Sequence, residues 1–126
     1  MTPPASPPAA LLISRDLFFT SKVTGTAQAL GTKVDVVADS DAAAQRVAAG
    51  EYRCVFIDLA DTGLNVAGFF ARLNPDTRPP VVAFGSHVAT ARLQLAREAG
   101  CDEVMPRSRF STSLPDLLTK YCGATP

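Results

Sequence analysis

The sequence has no tryptophan, one histidine and three cysteines, and its 126 residues carry no formal net charge. Each shortage removes a class of function. Twelve basic and twelve acidic residues cancel, and from Arg92 onward five basic residues accompany four acidic ones. No strongly basic segment exists to neutralise a phosphate backbone, which argues against nucleic acid as a partner. A local anion site stays open. Cys54, Cys101 and Cys122 are odd in number, far apart and in no metal or redox spacing, so they read as reduced thiols. His87 has no Cys, His or Asp cluster around it in the chain, so no metal site is read there. No apolar run approaches the roughly 18 residues of a membrane span. The opening "MTPPASPPAA" lacks the basic start and apolar core of a secretion signal. Its prolines and small residues read as a disordered or extended lead-in over residues 1–9. Together these features point to a cytoplasmic protein.

What is present is an alternation of short apolar runs and helical stretches. The length suits one domain with a real core, expected over residues 10–122 with a short tail at 123–126. "ALLIS" (10–14) is a first strand. In "LFFTSKVTGTAQALG", Phe19, Val23, Ala27 and Leu30 fall on one helix face, and Gly31 supplies the stop. "KVDVVA" (33–38) is β-branched and strand-like. "SDAAAQRVAAG" is a helix opened by Asp39 or Ser40 and closed by Gly50. "RCVFID" (53–58) is a third strand, and "LNVAGFFARLN" places Val66, Phe69, Phe70 and Leu73 on one helical face. "VVAFG" (81–85) is a fourth strand. "HVATARLQLAREAG" aligns Val88, Ala91, Leu95 and Ala99 before Gly100. "DEVMP" holds a short fifth strand. "STSLPDLLTKY" reads as a last helix with Ser113 as its cap, Pro115 in its first turn and Leu114, Leu117, Leu118 and Tyr121 on its buried face.

Five βα units with near-continuous apolar strands predict an α/β fold: a doubly wound, five-stranded parallel sheet in a three-layer sandwich. In such folds the site lies at the carboxyl ends of the strands. The residues that follow the strands are therefore the candidates: Ser14, Arg15 and Asp16; Asp39; Asp58 and Asp61; Gly85, Ser86 and His87; Arg107 and Ser108. "TSKVTGTAQ" (20–28) weakly resembles the phosphate loop of flavodoxins, but its spacing is one residue tight and the helical reading uses the same residues. Ser86 and His87 are adjacent and on no nucleophile turn, so no hydrolase triad is read.

The stretches "VFIDLA", "RPPVVAFGS" and "AREAGCDEVMPRSRF" resemble the receiver domain of bacterial response regulators, and the resemblance runs from about Ala10 to Tyr121. It implies the flavodoxin-like strand order 2-1-3-4-5. It also implies a phosphoacceptor aspartate ending strand three, and Asp58 matches that position. In the family a divalent metal is held by this aspartate and an acidic pair after strand one. A lysine after strand five and a hydroxyl after strand four hold the phosphoryl oxygens.

The supporting positions depart from that pattern. The acidic pair falls on Ser14 and Arg15, with Asp16 one residue on. The lysine position carries Arg107, followed by Ser108 in place of proline. The hydroxyl position falls on Gly85, next to Ser86, and the strand-five aromatic is Val104. One carboxylate with waters holds magnesium poorly, so no metal or cofactor is expected; Mg²⁺, if bound at all, would use Asp16 and Asp58. Arg15 and Arg107 are expected to face Asp58, with Arg107 reaching it as a forked pair. The expectation is a stand-alone pseudo-receiver, not an enzyme, that signals by protein contact. Its partner would be another signalling protein, met through the last two helices and strand five. Two alternatives stand beside it: a phosphoacceptor in a two-component phosphorelay, and a small anion- or phosphate-metabolite-binding protein using Arg15, Arg107 and the "FGSH" turn.

Overall fold

A computed structural model of the chain describes residues 10–50, 52–61 and 63–123. The proline-rich lead-in over 1–9 and the last residues of the tail lie outside this set. Strands and helices alternate as β1 (Ala10–Ile13), α1 (Leu17–Ala29), β2 (Val34–Val37), α2 (Ser40–Ala49), β3 (Cys54–Asp58), α3 (Val66–Ala71), β4 (Val81–Gly85), α4 (Thr90–Ala99), β5 (Glu103–Pro106) and α5 (Arg107–Cys122). The strands form one sheet in the order β2-β1-β3-β4-β5. Every pairing is parallel. This is the doubly wound fold expected from the alternation.

The period of two along each strand splits the core into two layers. Ala10, Leu12, Cys54, Phe56, Val82 and Phe84 point to one face, where Phe19, Val23 and Ala27 of α1 meet Phe110, Leu114 and Leu118 of α5. Leu11, Ile13, Val55, Ile57, Val81 and Ala83 point to the other, against residues of α2, α3 and α4. The first layer contains a chain of rings. Phe110 stacks on Phe84 at 4.0 Å, stands edge-on to Phe56 at 5.2 Å and meets Phe19 at 5.8 Å.

Local chemistry starts the first three helices. The side chains of Asp16, Asp39 and Asn65 each accept a hydrogen bond from a first-turn N–H, those of Phe19, Ala42 and Gly68. Asp39, not Ser40, is thus the α2 cap. Gly31 ends α1 with φ at +74°, a conformation that favours glycine. Residues 20–28 are helical throughout, so no phosphate loop forms there.

Two helices differ from the sequence expectation. In α4 the buried residues are Leu93 and Ala96, while Leu95 is 63% exposed; Val88 precedes the helix, which starts only at Thr90, and is 74% exposed. The stripe Val88–Ala91–Leu95–Ala99 lies largely outside, because a helix this rich in alanine and leucine offers two apolar faces and packing chooses one. In α5 the helix begins at Arg107, directly after β5, so Ser113 and Pro115 are interior and neither starts it. Pro115 lies on the exposed side and cannot donate to the Ser111 carbonyl one turn earlier. Burial of Phe110, Leu114, Leu117, Leu118 and Cys122 along the same helix offsets that cost.

The thiols are free. Burial pushes Cys101 up to about 12 and Cys122 up to about 11, so neither is a ready nucleophile. Cys54, fully buried, is raised further for the same reason. Among the described residues no helix is long and apolar enough to cross a membrane.

Phe110 joins α1, α5 and the sheet through its ring contacts. Phe110→Ala is expected to lower stability by about 4 kcal/mol, from lost burial and the cavity left behind. Urea unfolding checks this; a loss under about 1 kcal/mol would mean that the ring stack is not central to the fold.

Candidate functional site

Parallel pairing brings the carboxyl ends of the strands together. Ile13 is in register with Ile57, so the next residues, Ser14 and Asp58, meet side by side. Asp58 is in turn in register with Phe84, and Gly85 with Pro106. The residue after Pro106 is Arg107. Residues 14, 58, 85 and 107 therefore surround one point at the top of the sheet.

Asp58 is only 3% exposed, so its charge needs compensation. Both oxygens receive it. Oδ2 accepts from the Ser14 hydroxyl at 2.8 Å. Oδ1 accepts from the Ala60 N–H at 2.9 Å and from Arg107 Nη2 at 2.6 Å. The Ser14 oxygen also accepts from the Asp16 N–H at 3.2 Å, which holds the hydroxyl in place. Arg107 Nη1 reaches Asp16 Oδ2 at 3.4 Å, while Asp16 Oδ1 caps α1. The guanidinium lies over the Phe19 ring at 5.0 Å and near the Phe84 ring at 5.8 Å. Rings below and carboxylates at the side thus fix its position.

The expected residues divide into two groups. Ser14, Asp16, Asp58 and Arg107 form one hydrogen-bonded set. Arg107 does not fork onto Asp58 alone: its two terminal nitrogens are divided between Asp58 and Asp16. Arg15 does not face Asp58. Its side chain turns outward, with Nε donating to the Ala38 carbonyl and lying 3.3 Å from Asp61 Oδ2. Just past β1 Ser14 is buried, while the next residue, Arg15, is exposed. Gly85, Ser86, His87 and Ser108 line an adjacent groove with Arg92 and Arg107. Ser86 Oγ accepts from the Val88 N–H at 3.4 Å. Ser108 lies within the first turn of α5 and is not its cap. A Cβ at Gly85 would meet the Leu59 Cβ at 3.2 Å, so a larger residue there needs Leu59 to move.

Sequence reading missed Arg92 and Phe19 as parts of this region. Arg92 would have been visible had the buried face of α4 been set on Leu93. The Phe19 ring was assigned to the core, and its second role beneath a cation required the tertiary arrangement.

No family model matches the chain, and no curated protein resembles it in sequence. Solved structures do resemble it. Full-length ShkA in complex with AMPPNP matches at 26% identity over 94% of this chain, with a TM-score of 0.70. This chain spans about a quarter of that longer protein. The receiver domain of the sensor histidine kinase PA1611 from Pseudomonas aeruginosa matches at 16% identity and a TM-score of 0.77, over 94% of this chain and all of that one. A response regulator from Chloroflexus aurantiacus matches at 15% and 0.76, over 94% and 99% of the two chains. The fold is that of response-regulator receiver domains.

The PA1611 receiver was crystallised with a magnesium ion coordinated in its active-site cleft. In the present receiver fold, the residues at that place do not suit such an ion. Asp16 and Asp58 are the available carboxylates, and a guanidinium already bridges them. Among the described residues no three His, Cys, Asp or Glu side chains gather as a metal set. Magnesium takes hard oxygen ligands in a near-octahedral shell, and an arginine wedged between two of them both repels and displaces it.

The contact between Asp58 and Arg107 is open to test. Arg107→Ala is expected to lower stability by about 2 kcal/mol, less than for a fully buried pair because the arginine side chain is 32% exposed. In an Asp58→Asn background the same substitution should cost less than about 1 kcal/mol. A double-mutant cycle in urea reads the difference, and equal costs in both backgrounds would show that the contact carries no energy.

Proposed function

We propose that this chain is a receiver-fold signalling module that acts through protein contacts and is not an enzyme, with Arg107 standing permanently where receivers gather a cation. One observation carries the reading: Arg107 Nη2 lies 2.6 Å from Asp58 Oδ1 while Ser14 holds the other oxygen. A phosphoryl acceptor must present a free carboxylate oxygen to phosphorus, beside positive groups that neutralise the transferring oxygens. Here both oxygens are engaged, and the charge of Asp58 is already compensated.

The partner surface of this reading is the face of α4, β5 and α5. Val88, just before α4, is an exposed large apolar residue at its edge, and Arg97, Arg109 and Asp116 are exposed on its two helices. An exposed apolar residue beside charged ones suits a protein partner. Several similar structures come from sensor kinases and response regulators, so a kinase or another signalling protein is the partner class that this reading favours.

A second reading, phosphoryl acceptance on Asp58, rests on the aspartate's position at the end of β3. Beryllofluoride with magnesium separates the two in a ¹H–¹⁵N spectrum. The proposal expects no magnesium-dependent shifts at residues 58–60 and 85–87. Shifts there that need magnesium and vanish in Asp58→Asn would overturn it in favour of the phosphoacceptor.

A further inference from the structure

Beside the contact between Asp58 and Arg107 runs a groove of about 530 Å³, between the loop after β4 and the start of α5. Leu59, Leu93 and Pro106 give it apolar lining; Arg92, Arg107, Ser86, His87 and Ser108 are its polar residues. Among the described residues no carboxylate lines it. The two arginines differ in how far their charge is met. Arg107 shares its terminal nitrogens with Asp16 and Asp58. Arg92 donates to the Asp61 carbonyl at 3.0 Å, a neutral acceptor. Among the described residues no carboxylate lies within ion-pair distance of Arg92.

A guanidinium has five N–H donors, so both arginines keep donors beyond those already used. Two arginines and two serines lining one space suit a ligand with more than one negative charge and at least three acceptor oxygens. A phosphate monoester meets that description, and arginine forks match its oxygens. The apolar lining gives the organic part of such a molecule a surface. The volume lies in the range of small-molecule sites, about 300–1,000 Å³.

We infer that this groove binds a small phosphate monoester of about mononucleotide size, its phosphate between Arg92 and Arg107 and its organic part against Leu59, Leu93 and Pro106. The inference does not depend on whether Asp58 accepts a phosphoryl group. It does tie the groove to the buried aspartate, because Arg107 pairs with Asp58 and also lines the groove. A ligand phosphate and the Asp58 carboxylate draw on the same guanidinium, so each weakens the other, and the coupling is reciprocal. Occupancy of the groove would thus be sensed at the centre of the sheet without a covalent step.

The test is a ¹H–¹⁵N titration of the full chain without magnesium, using AMP, inorganic phosphate and adenosine. AMP is expected to give saturable shifts at Ser86, His87, Arg92, Arg107 and Ser108, phosphate weaker shifts at the same residues, and adenosine none there. Arg92→Ala should weaken AMP at least about tenfold. Ser108→Asp places a negative charge in the groove on an exposed first-turn residue, where an acid is tolerated by the helix, and should abolish the shifts in a folded protein. Asp58→Asn releases Arg107 and should tighten AMP by about threefold or more. A phosphoacceptor signal needs the Asp58 carboxylate and disappears in that same variant, so the two readings fail separately. Absence of saturable shifts with AMP overturns the inference. So do shifts that survive both Arg92→Ala and Ser108→Asp, or adenosine shifts equal to those of AMP.

Discussion

A carboxylate buried at the carboxyl end of the central strand must have its charge met, and the top of this molecule is arranged around that requirement. Asp58 ends β3 and is nearly sealed from water. Leaving it unpaired would cost more than most single contacts in a domain provide. Ser14 just after β1, the Ala60 N–H from the turn after β3 and Arg107 from α5 together meet the need. Three separate chain segments are thereby held at one point. The same point fixes the start of α1, since Asp16 both caps that helix and pairs with Arg107.

Arg107 is placed by more than charge. Its guanidinium rests on Phe19, which in turn stacks on Phe84 at 5.0 Å. Phe84 leads to Phe110, one turn into the helix that Arg107 begins. The apolar core and the ion pair therefore share atoms: the rings that pack α1 and α5 onto the sheet also form the floor under the cation. A planar, delocalised cation suits this floor in a way that a lysine ammonium does not. The receiver fold is retained, with an arginine between two carboxylates at its top. Solved structures with as little as 11% identity keep the architecture, because alternating apolar strands and covering helices specify it with few individual residues. The polar positions at the strand ends are not under that constraint, and here they carry Ser14, Gly85 and Arg107. Fold likeness alone thus says little about whether phosphoryl transfer occurs.

Much of this was legible in the sequence, and its failures are informative. The five apolar runs, the parallel sheet and the position of Asp58 follow from periodicity and order. So do a cap for α2 at Asp39 or Ser40 and the Gly31 stop, since each is a local hydrogen-bonding or backbone preference. The buried face of α4 was not legible. Val88, Ala91 and Leu95 repeat at helical spacing as well as Leu93 and Ala96 do, and only the neighbouring β4 and β5 distinguish them. The start of α5 was hidden too, because Ser113 and Pro115 imitate a helix beginning in the middle of a helix that had begun at Arg107.

The site divides along the same line. The sequence by itself determined that an aspartate, a serine and an arginine would follow three strands, and hence that they would stand at one end of a sheet. Only the tertiary structure decided the pairing. Arg107 meets Asp58 across 49 residues and Asp16 across 91, while Arg15, next to Ser14, turns away to Asp61. Periodicity and capping act over a few residues and are written in consecutive letters. The direction of a guanidinium depends on which strands the crossovers make neighbours and on which ring lies beneath it, and those are properties of the packed chain.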